Sequence, residues 1–151
     1  MNTMHTAYCS ININAPADRI WQALVTPAEI KAYMFGTTVV SDWKEGRPII
    51  WKGDWKGKPY EDKGVLLQVK GERLLQYTHF SPLAGLPDLA ENYHTVTIEL
   101  AADGPRTGVT LSQDNNATAE ARAESEKNWD TMLTALKAHV EATPVTSSTD
   151  A

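Results

Sequence analysis

One long amphipathic helix closes this chain, and no helical segment of comparable length precedes it. Between about Ala119 and Ala142, the apolar residues Trp129, Met132, Leu133, Leu136 and Val140 recur on a 3.6-residue period and form a single stripe. Ahead of it come one extended segment, two short helical segments and a long run of strands. A lone stripe must be covered by another element, and the sheet is the available partner. A twisted sheet closing round one helix leaves space between them. The element order therefore predicts an α+β container: a curved antiparallel sheet wrapped around a long C-terminal helix, with two short helices after the first strand.

The local signals agree with that order. Residues 7–13 alternate as a strand. Pro16 is expected at the first position of a helix whose buried face is Ile20, Trp21, Leu24 and Val25. Thr26, Pro27 and Glu29 spell a capping box for a second helix that carries Ile30, Tyr33 and Met34 inward and ends at Gly36. Six strands are expected near 37–43, 47–55, 59–70, 73–80, 92–101 and 107–114. Alternation assigns an inward set of Ile49 and Trp51; Val65, Leu67 and Val69; Leu75, Tyr77 and His79; Val96, Ile98 and Leu100; and Val109 and Leu111. The break at 81–91 is expected at the mouth of the cavity. Asp114, Asn115 and Asn116 are expected to serve the turn and cap before the long helix. Residues 143–151 are polar and expected to be a disordered tail after a single domain spanning 1–142.

Composition excludes some functions. A net charge of -5 and a pI near 5.3 provide no basic stripe for phosphate contacts, so no nucleic-acid partner is expected. No apolar run approaches the roughly 18 residues of a membrane span. The first ten residues lack the charged start and apolar stretch of a signal peptide, and Cys9 is the one cysteine, so a cytoplasmic protein without an internal disulfide is expected. Cys9 reads as an inert strand thiol.

Several segments resemble one family. These are the run from Ile13 to Leu24, the Trp51-Lys52-Gly53 triplet, Tyr77 to Pro82, Glu91 to His94, and Ser125 to Trp129. Together they resemble the bacterial proteins similar to the activator of the heat-shock-protein-90 ATPase, within the START-like (SRPBCC, birch-pollen-allergen-like) superfamily. The likeness runs from about residue 5 to about 142 and implies a helix-grip fold. It implies no single activity, since relatives include lipid and hormone carriers, aromatase or cyclase enzymes and co-chaperone domains. The eukaryotic activator also carries a separate chaperone-binding domain with no counterpart in these 151 residues. A chaperone partner is therefore the weaker expectation.

The candidate site is a cavity wall. Trp51, Tyr77 and Trp129 share the inward face and offer aromatic area with polar handles. Val96 and Leu111 belong to the same inward set. The first half of the long helix presents Arg122 and Ser125, with Ala121 nearby, where the second half is large and apolar, so the cavity should widen beside that first half. His79 and His94 flank the 81–91 break on inward phases and could orient a ligand or exchange a proton. Two histidines without a third ligand make no zinc site, so no metal is expected, and no cofactor motif is present. No catalytic motif appears, so no catalytic residue is assigned.

These observations favour a binding module for a small apolar or aromatic molecule. A cyclase-like enzyme working through Tyr77, His79 or His94 in the same cavity is the alternative, followed by a co-chaperone-type interaction module. Two hydrogen-bonded titratable groups at a polar end of the cavity would favour the enzyme.

Overall fold

The computed structural model describes residues 5–55, 57–82 and 85–142, apart from the Trp55 side chain. The expected tail at 143–151 and part of the 81–91 break lie outside them. Strands β1 (His5–Ile13), β2 (Thr38–Ser41), β3 (Pro48–Trp55), β4 (Lys58–Lys70), β5 (Leu74–His79), β6 (His94–Asp103) and β7 (Arg106–Asn116) form one curved sheet in the order β1-β7-β6-β5-β4-β3-β2. Every neighbouring pair is antiparallel. Two short helices, α1 (Ala17–Val25) and α2 (Pro27–Tyr33), follow β1, and α3 (Ala119–Ala142) lies across the concave face. This is the helix-grip arrangement that the element order requires.

The second half of α3 supplies the core contact. Met132, Leu133, Leu136 and Val140 are buried there with Ile13, Ile20, Leu24, Ile98, Val109 and Leu111. Burial of each such side chain is worth roughly 1.5–3 kcal/mol. Trp129 packs on the edge of this cluster and is only partly buried. α3 also guards the free edge of β1. Glu126 accepts from the Tyr8 N–H at 3.1 Å, Glu141 accepts from the Asn14 N–H at 2.8 Å, and Lys137 donates to the Asn12 carbonyl at 2.8 Å. The Cys9 thiol donates to the Glu126 carbonyl at 3.1 Å. Burial, with the charges of Asp130 and Glu126, pushes its pKa up and keeps it a thiol.

Four local expectations are corrected. Pro16 is the N-cap of α1 rather than its first helical residue, with extended backbone and a carbonyl that accepts from Arg19 and Ile20. The capping box does not form, because Thr26 makes no side-chain cap bond. The Glu29 carboxylate is instead held by Arg19 at 2.8 Å and His139 at 2.8 Å, charged or chargeable donors that outcompete a backbone N–H. Thr118, not the Asp114–Asn116 run, caps α3 through its hydroxyl, which accepts from the Ala121 N–H.

The fourth correction concerns β4. Val65 and Leu67 face outward, 40% and 41% exposed, while Leu66 is fully buried. The cause is a bulge, since the register with β5 shifts between Leu66 and Gln68. One extra residue reverses the alternation, so Val69 faces inward again while the residues before the bulge follow the opposite phase. Tyr60, Asp62, Gly64 and Leu66 therefore share the concave side. Gly64 is needed there, because a Cβ would stand 1.7 Å from the Thr78 carbonyl oxygen.

The 81–91 segment does not form the cavity mouth among the described residues. Asp88 pairs with Lys63 and accepts from the Tyr93 hydroxyl, and Phe80 stacks on Tyr93 at 5.1 Å. Lys63 alternates with Asp62 and Gly64, which places these contacts on the outer face.

The Arg19–Glu29–His139 cluster ties all three helices together. Burial alone would raise the Glu29 pKa, but the hydrogen bonds and charges of Arg19 and His139 reverse this and hold it below the usual carboxylate range. A depressed folded pKa stabilises the fold above the unfolded value, and that stability is lost as pH falls through the folded pKa. The stability gap between wild type and Glu29→Gln should therefore be full near pH 6 and narrow below about pH 4, in urea denaturation run across that range.

Candidate functional site

A pocket of about 440 Å³ opens between the first half of α3 and the far side of the sheet. Its helix wall is Ser125, Asn128, Trp129 and Met132. Opposite stand His79, His94 and Gln113 from β5, β6 and β7. Met34, Phe35 and Thr37 from the end of α2, with Asp54 and Tyr60 from β3 and β4, complete the rim. Phe35 reaches it because the backbone turns left-handed at Phe35 and Gly36, with φ of 56° and 92°, which ends α2 and leaves the ring 73% exposed. Tyr60 fits because it lies opposite Gly53, where a Cβ would stand 2.7 Å from its hydroxyl. That hydroxyl meets Thr37 Oγ1 at 3.0 Å.

A recess of about 70 Å³ adjoins this pocket and shares Met34, Thr37, Tyr60, His79 and Trp129 with it. Trp51, Tyr77 and Asp62 line the recess as well. The Trp51 ring lies 5.2 Å from Tyr77 and meets His79 edge-on at 4.9 Å. Burial raises the Tyr77 pKa, so its hydroxyl stays protonated.

The two histidines sit directly opposite each other on β5 and β6. His94 Nδ1 lies 2.8 Å from the Asp114 carbonyl oxygen. A carbonyl only accepts, so Nδ1 carries the proton and Nε2 of the neutral ring is an acceptor. His79 Nε2 lies 2.9 Å from Asp62 Oδ2, and the same reasoning leaves Nδ1 as the acceptor of its neutral ring. The other Asp62 oxygen, Oδ1, is buried with no hydrogen-bond partner among the described residues.

A polar cluster holds the first half of α3 off the sheet. Trp129 Nε1–H donates to Gln113 Oε1, and the Gln113 amide reaches Asn116 Oδ1 and Ser125 Oγ, each at 3.3 Å. Ser125 donates to Asn116 Oδ1 at 2.8 Å, and Asn116 donates to the carbonyls of His5 and Gln113.

Of the wall residues expected from sequence, His79, His94, Ser125 and Trp129 line the larger pocket, and Trp51 and Tyr77 line the recess. Val96 and Leu111 do not line either space; both are fully buried in the solid core. Asp62, Tyr60 and Gln113 were not foreseen. Gln113 continues the Val109, Leu111 alternation and was legible there, whereas Asp62 and Tyr60 were hidden by the bulge. Among the described residues, no group of three His, Cys, Asp or Glu side chains is gathered to hold a metal.

The curved antiparallel sheet gripping α3, with two short helices after β1, is the START-like helix-grip fold. The chain belongs to the family described as activator of Hsp90 ATPase homolog 1-like protein, whose model matches residues 14–141. Among solved structures it is similar to the solution structure of ChR145 from Cytophaga hutchinsonii, at 56% identity over 94% of this chain and 97% of that one, with a TM-score of 0.83. It also shares its fold with the Aha1 dimer from Colwellia psychrerythraea, at 19% identity over 91% and 97% of the two chains and a TM-score of 0.72. CalU16 from Micromonospora echinospora is similar at 19% identity, over 90% and 76%, with a TM-score of 0.72. No match is found among curated proteins.

The Gln113 cluster gives a direct test. Gln113→Leu nearly keeps the volume but strands the Trp129 N–H, while Asn116 and Ser125 each lose one bond and keep the one between them. It should cost about 1–3 kcal/mol in chemical denaturation and move the Trp129 indole proton resonance.

Proposed function

We propose that this protein binds a small apolar or aromatic molecule between its sheet and α3, in the cytoplasm. The observation that carries this reading is the pocket itself. Its volume of about 440 Å³ falls within the range of small-molecule sites. Its walls combine apolar Met34, Phe35, Trp129 and Met132 with a few convergent polar groups, the composition expected of such a site. No described helix is long and apolar enough to cross a membrane.

One observation favours a second reading, acid–base catalysis in the same pocket. His79 is oriented by a carboxylate, the arrangement by which a general base is held in one tautomer. A substrate proton would pass to His79 Nδ1, with Asp62 stabilising the resulting imidazolium.

A hydrophobic fluorescent probe should bind the native protein at about one equivalent and raise its melting temperature by mass action. Asn128→Trp, a change at an exposed rim position, should fill the pocket and weaken that binding about tenfold or more, with little change in the melting temperature of the free protein. Unchanged binding in Asn128→Trp would place the probe elsewhere and remove the container reading. Retained probe binding in His79→Gln, together with loss of a turnover seen in wild type, would promote the enzyme.

A further inference from the structure

We infer that the recess is built for a positively charged amine head, so that the ligand is an apolar or aromatic molecule ending in an ammonium group. This inference rests on the container reading above and specifies its ligand.

Charge comes first. Asp62 lines the recess and Asp54 the pocket rim, and among the described residues neither Lys nor Arg lines either space. An anionic ligand would meet Asp62 with no fixed cation to offset it. Among the described residues of the lining, counter-charge would come from protonating His79 or His94.

The second observation is the unmet need of Asp62. Its side chain is 14% exposed, Oδ2 is occupied by His79, and Oδ1 is buried with no partner among the described residues. A buried carboxylate oxygen without a donor is costly, and native structures leave few such atoms unexplained. A donor entering the recess would relieve it, and a charged donor would do so most strongly.

The third is the surrounding wall. Trp51, Tyr60, Tyr77 and Trp129 bring four aromatic rings to a recess of about 70 Å³. A cation within about 6 Å of such rings is attracted to them, more so when desolvated. An uncharged hydroxyl would satisfy Asp62 Oδ1 but gain nothing comparable from the rings. The adjoining pocket, with Met34, Phe35 and Met132, accommodates the apolar body.

The test uses three probes on one carbon skeleton, 2-phenylethylamine, 2-phenylethanol and phenylacetate, titrated into isotope-labelled protein by NMR. At about pH 7.5 the amine is fully charged. It should bind about tenfold tighter than either analogue and shift the Asp62 and His79 amides and the Trp129 indole. In Asp62→Asn the lead of the amine over the alcohol should fall to about threefold or less, the remainder being what the rings give a cation. If that variant does not fold, the wild-type ranking decides alone. An alcohol or acid bound as tightly as the amine overturns the ammonium assignment and leaves the container standing. So does an amine preference that is undiminished in Asp62→Asn. If none of the three binds while the fluorescent probe does, the ammonium assignment again falls alone; if that probe also fails, the container falls with it.

Discussion

The seating of Met132, Leu133, Leu136 and Val140 on the concave face fixes where everything else can go. These residues occupy only the second half of α3. Because a helix is stiff over 24 residues, anchoring one half sets the height of the other above the sheet. The first half has small and polar residues where the second has large apolar ones, so it cannot close the gap. The pocket is thus a direct result of an uneven stripe on one rigid rod.

What keeps that gap from collapsing is polar rather than apolar. Gln113, Asn116, Ser125 and Trp129 form a connected set between β7 and α3, with partners for the groups they bury. Such a set holds a defined distance, because shortening or lengthening it would strand donors in a poorly solvated space. At the opposite end of the helix, Arg19, Glu29 and His139 do similar work with charge and lock α1 and α2 in place. The pocket lies between these two polar fastenings.

Much of this was legible in the sequence. The span of α3 follows from the apolar period, and the antiparallel sheet follows from the turn-separated strands, although the pairing of β1 with β7 carries no mark in the sequence. The histidine pair also followed from phase, because the turn between β5 and β6 sets His79 opposite His94. The opposite is true of Asp62. A single inserted residue near Leu67 reverses the alternation of β4, and a bulge of that kind leaves no mark in a run of Val, Leu and Leu. Glu29 was misplaced for another reason. Its position matched a capping pattern, but the competing partners Arg19 and His139 are distant in sequence, and only the fold brings them near. Val96 and Leu111 were assigned to the right face but not to the right depth, since alternation distinguishes in from out and not wall from solid core.

The side chains that α3 lends to β1 have a consequence for solubility. β1 is a terminal strand of the sheet, and terminal strands invite pairing with other chains. Glu126, Lys137 and Glu141 occupy backbone groups along it, so the helix that roofs the pocket also shields the sheet from lateral growth. At the other terminus, β2 spans only four residues, Thr38–Ser41, and offers a foreign strand a short template. A lesion that loosens α3 would therefore bare an apolar stripe and an unguarded strand together. Loss of the pocket and a tendency to self-associate should then appear as one phenotype.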